Sequence, residues 1–218
     1  MNSLNFNEEK KLLKKGFNFI IGIDEAGRGP LAGPVVAGAV VFLNHKSEDL
    51  SLGVNDSKKM TAKQREKVYN YFKKSSDIEW GIGIVSEKII DKINILESTK
   101  LAMTKAVECL EKKLGKSNTK IILIIDGNIK LNINLTQKSV IKADQKVFSC
   151  ALASIFAKVT RDKIMQEYHK KYPEYGFDKH KGYGTSYHFK MLKKYGYCKI
   201  HRKSFYPVGS VGFERESA

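Results

Sequence analysis

Apolar residues fall in short blocks of two different periods, and the alternation of those blocks predicts an α/β fold. Phe19-Ile-Ile-Gly-Ile23 and Val35-Val-Ala-Gly-Ala-Val-Val-Phe-Leu43 are apolar on both parities, the pattern of strands buried on two faces. From Thr61 the period lengthens: Thr61 and Gln64 have the spacing of a capping box, and Val68, Tyr71 and Phe72 form a helical stripe. Ile78 to Val85 returns to a strand. Leu96, Met103, Val107, Leu110 and Leu114 then recur at helical spacing, with Gly115 where a C-terminal cap belongs. Ile121-Ile-Leu-Ile-Ile125 is the clearest strand of the chain and ends in Asp126-Gly127. Ser139 to Lys142 reads as a short extended run, Lys146 to Lys171 as a second long helix with Val147, Ala151, Ile155, Val159 and Met165 inward, and Thr185 to Tyr195 as a short one. No repeat or linker-like stretch interrupts this order. One domain over residues 17–210 is expected, after a charged, helical lead-in (1–16) and before a short tail (211–218).

Charge adds a partner to this picture. The 218 residues carry 39 Lys and Arg against 23 Asp and Glu, a formal charge of +16, and such a field concentrates phosphate polymers. A solvated Lys-rich surface is the plainer explanation, so charge alone favours nucleic acid without requiring it. Cys109, Cys150 and Cys198 are far apart and in no metal-ligand or redox spacing, which fits a reducing cytoplasm. The first fifteen residues lack the apolar core of a signal peptide, and the longest apolar stretch, Val35 to Leu43, falls short of the roughly 18 to 20 residues of a membrane helix.

In so basic a chain, Asp24, Glu25, Asp126 and Asp144 stand out beside Gly-rich or Lys-rich loops. Asp126 closes a central strand, where open α/β sheets tend to put their ligands. Asp144 lies just ahead of a helix, and a helix-start anion explains it equally well. Carboxylates on adjoining strands suit hard divalent cations that activate water against a phosphodiester. His45, His169, His180, His188 and His201 lie in polar or charged surroundings and read as surface or phosphate-contact residues rather than general bases. Gly27-Arg-Gly-Pro-Leu-Ala32 has the letters of a dinucleotide fingerprint, but a strand follows it where that motif needs a helix. The aromatic and basic segment from Tyr172 to Tyr183 suits a loop that grips a sugar-phosphate backbone, with a solvent-facing loop as the competing view.

Gly22-Ile-Asp-Glu-Ala-Gly-Arg-Gly-Pro-Leu-Ala-Gly-Pro-Val-Val36 resembles the signature of bacterial ribonuclease HII, the type 2 ribonuclease H. Asn55-Asp-Ser-Lys58, Ile125-Asp-Gly127, Lys142-Ala-Asp-Gln145, Ala153-Ser-Ile-Phe-Ala-Lys-Val-Thr-Arg-Asp162, His180-Lys-Gly-Tyr-Gly-Thr185 and His201-Arg-Lys-Ser-Phe205 agree with it in order. The resemblance implies a ribonuclease H-like fold, a central mixed β-sheet flanked by α-helices. It implies cleavage of RNA in RNA–DNA hybrids and 5′ of single ribonucleotides in duplex DNA, leaving 3′-hydroxyl and 5′-phosphate ends, by a cytoplasmic monomer. By position, Asp24, Glu25, Asp126 and Asp144 would bind two Mg²⁺ or Mn²⁺ ions, with Asp24 bridging them. Gly27, Arg28 and Gly29 would recognise the 2′-hydroxyl, and Tyr183 would press on the next sugar. Asn55, Ser57, Lys58, Lys158 and Arg161 are candidate phosphate contacts, with a surface or packing role standing beside that one. Ala143 replaces the family's usual Gly before the fourth acid, and the C-terminal helical extension of some relatives is expected to be short or absent. A type 3 ribonuclease H and a non-catalytic basic nucleic-acid-binding protein are the alternatives; the first usually carries an extra N-terminal domain, and the second has no need of the four carboxylates.

Overall fold

The computed structural model describes residues 4, 6–44, 53–55, 57–115 and 120–210. His45 and the tail at 211–218 lie outside them. Five strands, β1 (Phe19–Ala26), β2 (Val35–Phe42), β3 (Ile78–Val85), β4 (Ile121–Asp126) and β5 (Thr136–Val140), form one sheet in the order β3-β2-β1-β4-β5. The first three are antiparallel neighbours, whereas β4 runs parallel to β1 and β5 parallel to β4. The sheet is therefore mixed, as the resemblance implies.

Alternation along the strands divides the core between two faces. Ile21, Ile23, Leu123 and Ile125 pack toward α3 (Glu87–Leu114). Ile20, Ile122 and Ile124 pack toward the start of α4 (Phe148–Lys171). A side chain at Gly22 would collide with Ser149 and Cys150 of α4, and one at Gly38 with Ala153, so two glycines let α4 lie directly on β1 and β2.

The expected capping box is present: Thr61 Oγ1 accepts from Gln64 N at 3.3 Å and Gln64 Oε1 from Thr61 N at 2.8 Å, opening α2 (Ala62–Lys74). Its inward stripe is Val68, Tyr69 and Phe72. Tyr71 is exposed instead, because Tyr69 fills the place against Phe156. In α3, Met103, Val107 and Leu110 are buried as expected and Gly115 ends the helix at φ 74°. Leu96 is exposed: the helix breaks at Asn94 (φ 66°), whose Oδ1 caps a restarted first turn by accepting from the N–H groups of Leu96 and Glu97. All five residues expected inward around α4 are buried. Strand β5 begins three residues before the expected run, as an edge strand of mostly polar residues joined to β4 through its backbone.

The lead-in is part of the core. Within α1 (Asn7–Lys14) Leu12 is buried, and Phe6 stacks on Phe148 at 4.6 Å between ring centres. Glu9 Oε1 accepts from Ser149 N (2.9 Å) and Ser149 Oγ (3.1 Å), so α1 supplies the anionic cap of α4, whose own N-cap, Val147, has no such side chain.

Candidate active site

Register brings the acids together. Ile23 pairs with Ile125 across the parallel β1–β4 ladder, so Asp24 and Asp126 come next in line on neighbouring strands and share a face by parity. Asp144 reaches that face from a short 3₁₀ turn (Ala143–Gln145) ahead of α4, and the turn is tied to β4 by Ala143 N–H donating to Asp126 Oδ1 at 2.6 Å. Ala143 itself is fully buried, its methyl absorbed by a small core with Ile20 and Ile122.

Asp24 and Asp144 are only 5% and 2% exposed, so their charges meet in a poorly solvated place. Burial, and then the negative charges of Glu25, Asp126 and Asp144, push Asp24 well above the usual carboxylate range. Burial also raises Glu25, opposed by Arg28, whose Nη1 lies 3.4 Å from its carboxylate. Lys58 Nζ stands 3.7 Å from Asp144 Oδ2, and Asp24 Oδ1 accepts from Glu25 N at 2.7 Å. Among the described residues no three His, Cys, Asp or Glu side chains are already grouped so as to enclose an ion. The donor set nonetheless fits a hard divalent cation: oxygen donors only, mutually repelling, at the ends of rigid strands.

A cleft of about 330 Å³ opens beside them, lined by Asp24, Glu25, Ser57, Lys58, Lys158 and Tyr183 among others. Tyr183 is half exposed, and an ideal Cβ on Gly29 would lie 3.7 Å from its ring. Asn55 is exposed in the segment before α2. Ser57 is buried and bonded to Ser154 Oγ at 2.5 Å. Lys158 donates to Asp162 at 2.7 Å, and burial lowers its pKa. Arg161 does not reach the cleft. It is 1% exposed, and its three nitrogens donate to the carbonyls of Pro34, Lys181 and Ala32, the packing arrangement that stood beside phosphate contact for this residue.

The expectation of surface histidines fails for two of them. His188 and His201 are buried, because Tyr175 and Phe177, expected in an outer loop, are core residues packed on both imidazoles. Their protonation follows from their partners. His188 Nδ1 donates to the Tyr183 carbonyl (2.9 Å), leaving its Nε2 to accept from His201 Nε2 (2.9 Å), while His201 Nδ1 accepts from Cys198 N (2.9 Å). Burial holds both neutral, with His188 pushed down to about 4 and His201 to about 3. Neither acts as a general base from there.

Sequence reasoning left Arg65, Ser154 and Arg202 without a role. Arg65 and Ser154 line the cleft, and Arg65 Nη1 donates to the carbonyls of Ser57 and Met60. Arg202, fully buried, donates to the carbonyls of Gly27, Arg28 and Gly33. Only the His201-Arg-Lys-Ser-Phe205 resemblance marked it, since an arginine alone in a sequence looks like any surface cation.

The arrangement has known counterparts. The family model for ribonuclease HII matches residues 21–208. A ribonuclease HII from Acetivibrio thermocellus is 53% identical over 198 residues, 90% of this chain and 73% of that protein. One from Chlamydia caviae is 48% identical over 93% of this chain and 91% of its own length. Among solved structures, the ribonuclease H2 of Pyrococcus horikoshii superposes with a TM-score of 0.69 at 28% identity, covering 88% of this chain and 96% of the other. The match runs along nearly the whole length, and the chain belongs to the ribonuclease HII family of metal-dependent endonucleases that act on RNA–DNA hybrids.

Proposed function

We propose that the protein, acting as a cytoplasmic monomer through residues 17–210, cuts 5′ of single ribonucleotides embedded in duplex DNA as well as within hybrids, leaving 3′-hydroxyl and 5′-phosphate ends. The observation that carries this reading is one cleft lined by Asp24, Glu25 and an exposed tyrosine, Tyr183, whose ring lies beside Gly29 of the glycine loop. Asp24, Glu25, Asp126 and Asp144 would hold two divalent ions, Mg²⁺ or Mn²⁺, which when bound supply charge neutralisation and an activated water for phosphodiester hydrolysis. Asp24, whose charge meets those of Glu25, Asp126 and Asp144, would be the central member of that set.

The rest of the task falls to the chain's own groups. Only the 2′-hydroxyl distinguishes a ribonucleotide from its DNA neighbours, and a backbone without side chains at Gly27 and Gly29 lets N–H and C=O groups come close enough to bond it. Tyr183, flanking that loop, would press on the following sugar and set the register of the strand. Lys58 and Lys158, on the cleft wall with Ser57, would take neighbouring phosphates, and Asn55, in the exposed segment just before them, would add a further contact.

The test is cleavage of an end-labelled DNA duplex with one ribonucleotide, in Mg²⁺, in Mn²⁺ and in EDTA, beside an all-DNA duplex. A metal-dependent cut on the 5′ side of the ribonucleotide with the control intact is expected. Cutting of long hybrids but not of the single ribonucleotide would contradict the proposal.

A further inference from the structure

We propose that Arg202 is a specificity-determining positioning residue: it draws the Gly27 and Arg28 carbonyls inward, so that the N–H groups of Arg28 and Gly29 face the cleft as donors to the ribose 2′-hydroxyl. The inference rests on the ribonucleotide-directed reading above and says what makes that reading work.

The geometry follows from the peptide bond. Arg202 Nη2 donates to Gly27 O at 2.6 Å, Nη1 to Arg28 O at 2.8 Å and Nε to Gly33 O at 3.0 Å. In a planar trans peptide the carbonyl of one residue and the N–H of the next point to opposite sides. Turning Gly27 O toward Arg202 therefore turns Arg28 N–H away from it, and turning Arg28 O inward does the same for Gly29 N–H. Among the described residues neither N–H donates to another backbone group. Tyr183 stands beside Gly29.

Arg161 extends the clamp. Its bonds to Pro34 O (2.9 Å), Ala32 O (3.1 Å) and Lys181 O (3.0 Å), with Leu31 N donating to Gly182 O (2.8 Å), fasten the end of the glycine loop to the segment that carries Tyr183. The spacing between the hydroxyl-reading backbone and the tyrosine is thus fixed from beneath by two guanidinium groups. Burial lowers Arg202 to about 9 and Arg161 to about 10, so both remain protonated at neutral pH. Burying cations is a poor way to gain stability compared with apolar packing, but a planar fork of donors is well suited to fixing three carbonyls at once. A lysine, with one nitrogen, cannot span them.

The experiment begins with the wild type, whose failure to cut at a single ribonucleotide would sink the functional reading whatever Arg202 does. Given that cut, R202K is expected to lose about 100-fold in kcat, the scale of a small misplacement, with KM for the same duplex within a few-fold. R202A should regain part of its activity in millimolar methylguanidinium, which a merely structural role would not produce. Unchanged kcat in R202K, or no rescue of folded R202A, overturns the proposal. Should the variants not fold, amide exchange of the wild type decides. The Arg28 and Gly29 N–H groups should become protected on adding, without metal, a duplex with one ribonucleotide, and not on adding all-DNA duplex; equal exchange in both overturns it.

Discussion

The acidic centre at the ends of β1 and β4 and the crescent made by Gly27–Gly29 and Tyr183 are neighbours, since Asp24, Glu25 and Tyr183 line one cleft and Gly29 lies beside Tyr183, but they handle charge in opposite ways. In the first, buried carboxylates repel one another and are answered only in part by Lys58, Arg28 and N–H groups. In the second, two buried guanidinium groups are answered by six carbonyls, and two imidazoles are held neutral in a hydrogen-bonded row. The difference separates two jobs. A centre left electrostatically strained is ready for a ligand of opposite charge, whereas a satisfied one holds a backbone still.

The largest expected effect breaks the first region without touching the second. Asp126→Asn keeps an oxygen able to accept from Ala143 N but removes a charge, so single-turnover cleavage should fall about 10³-fold or more while the unfolding midpoint stays the same or rises. Cleavage within a few-fold of wild type would show that the acid is misassigned. Gly27→Ala attacks the crescent: at φ +99° its methyl would run into the Arg161 side chain, for a loss of about 1–3 kcal/mol in urea unfolding. The matched control is Gly53→Ala, also at positive φ but in open space, which should cost less. An equal loss at both would mean that the clamp adds no rigidity. Tyr183→Ala should cost about tenfold at a single ribonucleotide, the worth of one lost stacking contact, and less within a long hybrid; equal losses on both substrates would remove it from the junction.

The smallest effect concerns the histidine row. His188 and His201 have folded pKa values below the 6.5 of a free imidazole, so the unfolded chain binds protons more readily. Their contribution is fully present above about pH 6.5 and is lost progressively as pH falls from there toward about 4 and 3, on the order of 2 kcal/mol for each imidazole between neutrality and pH 5. His201→Asn should flatten that slope in a series of denaturant titrations. A slope as steep as wild type would show that other groups carry it.

The two regions also differed in how far the sequence revealed them. Asp24, Glu25 and Asp126 were legible because each ends a continuous apolar run, and a strand end on a buried sheet has a defined position. Asp144 needed the resemblance, since a carboxylate before a helix is equally a cap. The clamp was not legible, because the Arg202 partners lie 169 to 175 residues away and no local period encodes a carbonyl. The same reason hid His188 and His201, whose burial depends on Tyr175 and Phe177 folding inward from a segment that reads as polar. Tyr71 was a simpler error: a helix stripe read by spacing admits either of two neighbouring tyrosines, and packing on Phe156 chose Tyr69.

The most direct measurement of the central claim, that the mutually repelling acids form a divalent-cation site, is thermal unfolding of wild type and Asp126→Asn with and without Mn²⁺. The account predicts stabilisation of the wild type, about 2.7 kcal/mol at one hundred times the dissociation constant, and a much smaller gain for the variant. No gain in the wild type, or the same gain in both, would contradict it.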